Sequence, residues 1–274
     1  MKILVTGSAG FIGKNVCVRL EELGHSVLKF GREVQLDELK LMVSDADACI
    51  HLAGENRPEN PDEFVRVNVG LTETLCDAIK KSNRLIPLLL ASSTQATKDN
   101  PYAKSKLAAE ALVRKLALDT QNPVAIYRLP NVFGKWCKPN YNSAVSTFCN
   151  NIANDLPIQV NKASTLLTLV YIDDVVDGFV KSLTMESSTE TKLKKIEPEY
   201  QITLGELADQ IKVFKASRDN LISERVGKGF TRALYSTYVS YLPASHFSYP
   251  VESHADERGV FVEMLKTKDS GQFS

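Results

Sequence analysis

The stretch Lys2-Ile-Leu-Val-Thr6-Gly7-Ser8-Ala9-Gly10-Phe11-Ile12-Gly13 constrains the fold more than any other. Its apolar run reads as a buried parallel strand, and a helical pattern follows the glycines through Leu23. Gly7 permits a tight turn, Gly10 lets backbone approach a pyrophosphate, and Gly13 allows helix to pack closely on strand. The helix N-terminus, with Ser8, Phe11 and Ile12 around it, then faces phosphate. The spacing is Gly-x-x-Gly-x-x-Gly, one residue wider in its first gap than the common dinucleotide fingerprint. Such a strand–loop–helix unit predicts a parallel α/β sheet that holds a dinucleotide.

The rest of the chain continues the alternation. Strands are expected near 2–6, 25–30, 48–53, 86–92 and 123–128, and helices near 11–23, 35–43, 62–82, 101–119 and 143–154. Thr168–Ile172 reads as one more strand, with a helix from Asp173. The predicted fold is α/β, a Rossmann-type doubly wound parallel sheet with a small substrate-binding subdomain and a short β tail. Residues 185–201 read as a polar loop before a helix at 203–217, and Leu234–Pro250 as a connector. Gly259–Leu265 reads as a strand ending near Lys266, before a Lys-Asp-Ser-Gly turn. A strand pair with nothing after it cannot cover its own faces and edges, so the chain is expected to stop inside a second domain or to end in an arm.

Composition narrows the function classes. Lys+Arg and Asp+Glu are both 33 in 274 residues, and no basic stretch marks a nucleic-acid face. No segment approaches the roughly 20 apolar residues that span a bilayer, and the short N-terminal apolar run carries the glycine loop rather than a signal peptide. Five widely spaced cysteines, 17, 49, 76, 137 and 149, fit reduced thiols in a cytoplasmic protein, with no metal spacing.

The chemistry is read from strand ends. Strand two ends Lys29-Phe30-Gly31-Arg32, without the acidic residue that accepts ribose hydroxyls. Arg32 can fork onto a 2′-phosphate, which favours NADP(H), although a solvated arginine is the plainer reading. Strand three ends His51-Leu52-Ala53-Gly54, where Leu52, Ala53 and Gly54 would run beside the cofactor and His51 would pack in the strand. Strand four ends Ser92-Ser93, and Ser93 lies nine residues before Tyr102. Its alternative is a local turn bond. Asn100-Pro101-Tyr102-Ala103-Lys104-Ser105-Lys106 places Tyr102 and Lys106 one helical turn apart on one face. An ammonium there can bond a cofactor ribose and is expected to pull the phenol below its usual pKa near 10. Asn68 is a poor helix former in an apolar setting, read as a backbone bond, a water support near Lys106, or a cap. Asn131, Lys135, Trp136 and Asn142 are the candidate substrate contacts, and Cys137 is read as a bystander.

Together these residues resemble the extended short-chain dehydrogenase/reductase family. The matching pieces are Thr6-Gly7-x-x-Gly10-Phe-Ile-Gly13, His51-Leu-Ala-Gly54, Ser92-Ser93, Tyr102-x-x-x-Lys106, Arg128-x-x-Asn131-Val-Phe-Gly134 and Tyr171-x-Asp173-Asp174-Val175. The resemblance implies a nucleotide-sugar enzyme in which Ser93 polarises a carbonyl, Tyr102 is the acid/base and Lys106 holds the nicotinamide ribose. Longer strings, Gln95–Tyr102, Asn131–Ser143 and Leu234–Pro243, are similar to the bifunctional capsular polysaccharide members, where a reductase precedes a cupin. That likeness implies an NADPH-dependent reductase of a 4-keto UDP-N-acetyl-deoxyhexose, in the pathway to UDP-N-acetyl-L-fucosamine, and a homodimer. It implies a reductase domain over 1–243, with its substrate subdomain from 131–160 and 185–240, and the start of a cupin over 250–274 without the metal-binding histidines. A nucleotide-sugar 4-epimerase, a 4,6-dehydratase and a non-catalytic NADP-sensing module are the alternatives. Thr94-Gln95 after Ser93 departs from the acidic residues a dehydratase uses there.

Overall fold

The computed structural model describes residues 1–58, 60, 62–186, 191–268 and 271–273. In chain order the elements are β1 (Lys2–Thr6), α1 (Phe11–Glu22), β2 (Ser26–Phe30), α2 (Leu36–Asp45), β3 (Ala48–His51), a π-helical turn (Phe64–Gly70), α3 (Leu71–Lys81), β4 (Leu88–Ser93), α4 (Pro101–Thr120) and β5 (Val124–Leu129). They continue with β6 (Asn131–Phe133), α5 (Ala144–Ala153), β7 (Leu166–Tyr171), α6 (Ile172–Lys181), β8 (Lys192–Lys194), β9 (Glu199–Thr203), α7 (Leu204–Asn220), β10 (Ile222–Ser223) and α8 (Gly229–Val239). The last four strands are β11 (Ser253–Asp256), β12 (Gly259–Val262), β13 (Leu265–Thr267) and β14 (Gly271–Phe273). The chain divides into two compact units, residues 1–130 with 172–198, and residues 131–171 with 199–274.

The first unit is a six-stranded sheet in the order β2-β1-β3-β4-β5-β8, with every pair parallel. Successive strand residues point to opposite faces, and each face has its own helices. Leu4, Cys49, Leu88, Leu90 and Ile126 pack with Leu39, Val43, Leu75, Ile79, Val113 and Leu116 of α2, α3 and α4. On the other face α1 lies beside α6, and Phe179 stacks edge-on against Tyr127 with ring centroids 4.9 Å apart. The order reverses direction between β1 and β3, so a crevice opens beyond their carboxyl ends, where ligands of such sheets bind.

The second unit carries a sheet in the order β6-β7-β9, with α5, α7 and α8 packed on one another. Thr203 and Glu206 form a reciprocal cap at the start of α7, as the Thr-x-x-Glu spacing dictates. Three expectations change here. Leu234–Val239 is helical, because Tyr235 and Tyr238 stack on Phe214 at 5.2 and 6.1 Å and carry Leu234 into the core. The 185–201 segment contains β8 and the first half of β9; its residues 187–190 lie outside those described. The strand expected over Gly259–Leu265 is two. β12 pairs antiparallel with β11, whereas β13 pairs parallel with β10 and antiparallel with β14. Asp269 and Ser270 of the expected turn lie outside the described residues.

Candidate active site

The glycine loop has the close geometry its spacing requires. Gly7 stands at φ +68, and a Cβ on it would come within 2.8 Å of the Ala53 backbone nitrogen. A Cβ on Gly13 would meet the Gly7 carbonyl oxygen at 2.1 Å. Gly13→Ala therefore forces α1 off β1. We expect a stability loss of about 1–3 kcal/mol, the usual cost of overpacking, read as a lowered melting temperature.

A hydrogen-bonded chain ties this loop to β3. Thr6 Oγ1 accepts the Leu52 and Ala53 N–H groups, each at 3.2 Å, and lies 2.6 Å from His51 Nδ1. His51 Nε2 lies 2.8 Å from Thr72 Oγ1, which donates to the Asn68 carbonyl. Thr72 has one proton and spends it on that carbonyl, so Nε2 must donate to it and Nδ1 must accept from Thr6. His51 is thus a neutral, fully satisfied strand residue. Burial, with the nearby Lys106 charge adding to it, holds its pKa down at about 3.

Tyr102 and Lys106 enter from α4. Asn100 caps the helix by accepting the Ala103 N–H at 2.9 Å, and Pro101 fills the first turn, so the start of α4 is fixed. Ser93 ends β4, and its hydroxyl hydrogen-bonds the Tyr102 phenol. The same Ser93 oxygen accepts the Gln95 N–H at 3.1 Å, capping the short turn Thr94–Thr97. The turn bond read from the sequence is therefore present, and a hydroxyl that accepts from backbone keeps its proton for the phenol. Lys106 Nζ lies 5.9 Å from the Tyr102 ring centroid and 3.3 Å from the Ala91 carbonyl. Burial pulls the Lys106 pKa down to about 8, with Glu110 acting in the opposite direction.

One electrostatic expectation reverses. The Tyr102 phenol is raised above its usual pKa, not lowered, because burial outweighs the bond from Ser93. The resting side chain is consequently a protonated phenol at neutral pH, the form that donates.

Asn68 sits in the π-helical turn and is buried. Its Oδ1 accepts the Glu55 N–H at 2.7 Å. Its Nδ2 donates to the Glu55 carbonyl at 3.0 Å and to Ser105 Oγ at 2.9 Å. It is a clamp on the loop after β3, not a helix cap. Arg32, with its side chain 92% exposed, makes an ion pair at 3.0 Å with Glu55, whose side chain is 16% exposed. The turn after β2 folds the Glu33 carboxylate back over Gly31, and the loop after β3 supplies Glu55 as the partner of Arg32. The signal for Glu55 was its place four residues beyond the end of a strand that flanks β1.

The remaining candidates lie in the second unit. Asn131 donates to the Thr168 carbonyl at 3.4 Å, and Lys135 Nζ sits 5.3 Å from the Trp136 ring. Trp136 holds φ +69 and is 49% exposed, and Asn142 is exposed. Cys137 has its thiol pKa raised by burial. Among the described residues, no group of three or more His, Cys, Asp or Glu side chains is placed to hold a metal ion, and no helix is long and apolar enough to cross a membrane.

Residues 3–194 match the NAD dependent epimerase/dehydratase family. The chain belongs to that family. Within it, the chain is 54% identical over 275 residues to a UDP-2-acetamido-2,6-beta-L-arabino-hexul-4-ose reductase of Pseudomonas aeruginosa, covering 100% of this chain and 74% of that protein. It superposes with a TM-score of 0.90 and 42% identity on the capsular polysaccharide assembling protein CapF of Staphylococcus aureus, over 99% of this chain and 74% of the other. A UDP-glucuronic acid 4-epimerase of Bacillus cereus, at 19% identity and TM-score 0.73, shares the fold. The chain is a CapF-like member of the epimerase/dehydratase family. Its closely similar relative is named as a UDP-sugar reductase.

Proposed function

We propose that the chain is an NADPH-dependent reductase of a 4-keto UDP-N-acetyl-deoxyhexose, acting toward UDP-N-acetyl-L-fucosamine for a capsule or O-antigen. The observation that carries this reading is the Ser93–Tyr102–Lys106 cluster, in a chain 54% identical to a relative named as such a reductase. The glycine loop leaves room for nothing but backbone, which is the cradle a dinucleotide needs. Gly7, Ser8, Gly10, Phe11, Ile12 and Gly13 hold its phosphates, Leu52, Ala53, Gly54 and Asn68 line its flank, and Arg32 meets the 2′-phosphate. When bound, the reduced cofactor supplies a hydride to the carbonyl carbon.

The protein's own residues handle the oxygen and the proton. Ser93 donates to the substrate carbonyl oxygen and orients it toward the phenol. Tyr102 transfers its proton to that oxygen as negative charge develops there. Lys106 bonds the nicotinamide ribose, and its charge stabilises the phenolate left behind. Asn131, Lys135, Trp136 and Asn142 are assigned to the nucleotide-sugar. Residues 1–243 form the reductase and 250–274 the start of a cupin, in a cytoplasmic homodimer.

Incubating the protein with NADPH and the 4-keto UDP-sugar, and following the reduced nicotinamide absorbance, tests the reading. Stoichiometric loss of absorbance with formation of the 4-hydroxy sugar is expected. Conversion of a 4-hydroxy UDP-sugar to its epimer without net NADPH use would establish the 4-epimerase instead. Removing residues 251–274 is expected to leave NADPH binding unchanged, because the glycine loop, Arg32 and Lys106 all lie in the first unit. Loss of binding on titration calorimetry would tie the tail to the cofactor site.

A further inference from the structure

Glu110 is nearly solvent-free, with 2% of its surface exposed, and no step above uses it. It lies one turn beyond Lys106 and two beyond Tyr102, on the same face of α4. Two sheet residues meet it there. Ser92 and Arg128 lie two residues beyond Leu90 and Ile126 and so point to the same, α4 side, and the parallel register sets them directly beside each other. Ser92 Oγ donates to Glu110 Oε1 at 2.6 Å, Arg128 Nε to Oε1 at 2.9 Å, and an Arg128 terminal nitrogen to Oε2 at 2.7 Å. Arg114, on α4 itself, stands 3.9 Å from Oε2. The two strand residues and the helix residue thus form a closed fork.

We propose that Glu110 is a positioning residue for the reduction, fixing α4 against β4 and β5 so that Tyr102 meets Ser93 and Lys106 keeps its charge. Ser92 precedes Ser93 directly, so the fork holds both partners of the Ser93–Tyr102 bond. It also puts a carboxylate one turn from an ammonium that burial is discharging. The Glu110 carboxyl is held below its usual pKa by Arg128 and Ser92 against the opposing effect of burial, so it is charged at neutral pH. The groups around Lys106 are the Tyr102 phenol and Glu110 on α4, neutral His51 on β3, the Ala91 carbonyl on β4 and Asn68 of the π-helical turn. Those around Glu110 are Ser92, Arg128 and Arg114. Lys106 is needed charged, so turnover falls as pH rises through its pKa. A lost carboxylate lowers that pKa, and so does loss of the Arg128 guanidinium that keeps the carboxylate charged.

The proposal rests on the active-site reading above, and Tyr102→Phe controls for it. The test compares kcat against pH, with NADPH affinity measured separately, in Glu110→Gln, Arg128→Gln and Ser92→Ala. We expect Glu110→Gln to lower kcat by about tenfold and to move the alkaline limb down by about half a unit or more. Arg128→Gln is expected to move the same limb down as well, because the buried Glu110 loses the partner that keeps it charged. A buried ion pair that merely cements the fold would lower melting temperature without moving the limb. Limbs that stay at the wild-type pH in the folded variants overturn the proposal. If those two variants do not fold, Ser92→Ala decides. It removes one hydroxyl and is expected to cut kcat per folded molecule by about threefold or more at unchanged NADPH affinity. Wild-type kcat in Ser92→Ala overturns the proposal. If Tyr102→Phe turns over near the wild-type rate, the active-site reading itself has failed and this proposal falls with it.

Discussion

Replacing Tyr102 with phenylalanine is expected to lower kcat for 4-keto reduction by about 10²–10⁴-fold, the range set by a well-placed general acid. The phenol is hydrogen-bonded to Ser93 and raised in pKa by burial, so the wild type holds its proton through neutral pH. Phenylalanine fills the same space beside Phe64, whose ring centroid lies 5.7 Å away, and it has no proton to give. NADPH affinity should stay near wild type, because the glycine loop and Arg32 are untouched. An interaction made only in the transition state shows as equal losses in kcat and kcat/KM. Stopped-flow turnover and equilibrium binding on the same preparation separate the two, and near-normal turnover in the variant would remove Tyr102 from the mechanism.

The second large effect belongs to Arg32→Ala, which should bring NADPH and NADH close together in affinity. A charge-assisted pair to phosphate is worth roughly 1.5–3 kcal/mol, or about tenfold to hundredfold. The ion pair with Glu55 sharpens this expectation. Without Arg32, the Glu55 carboxylate remains, repelling a 2′-phosphate and accepting hydrogen bonds from a 2′-hydroxyl. Both consequences run toward NADH. Equal affinities for the two cofactors in the unmodified protein would show that Arg32 does not select between them.

The features legible in the sequence are those set by local spacing. Gly7 and Gly13 declare themselves because backbone geometry at a strand–helix turn depends on a few neighbouring residues. Tyr102 and Lys106 do so because one helical turn fixes their common face, and Asn100-Pro101 marks where that turn begins. What escaped was set by distant parts of the chain. Charged residues in a helix are read as solvated by default, so Glu110 drew no notice, although it continues the Tyr102–Lys106 face by one more turn. Arg128 was visible only as part of a family string. Glu55 reaches Arg32 only because the sheet order places β2 and β3 on either side of β1. The sign of the Tyr102 shift was missed for a similar reason: a pairwise rule foresaw the lysine, and burial is a property of the packed fold. The helix across Leu234–Val239 was hidden by a tyrosine- and serine-rich composition whose buried face is defined by Phe214.

The three side-chain bonds of Asn68 join two parts of the molecule. Through Glu55 it grips the loop that carries the partner of Arg32, and through Ser105 it grips the helix that carries Tyr102 and Lys106. Cofactor choice and proton transfer are usually treated as separable properties that can be engineered one at a time. On the proposed function they hang here from a single carboxamide, and any redesign of one that disturbs residue 68 is expected to retune the other.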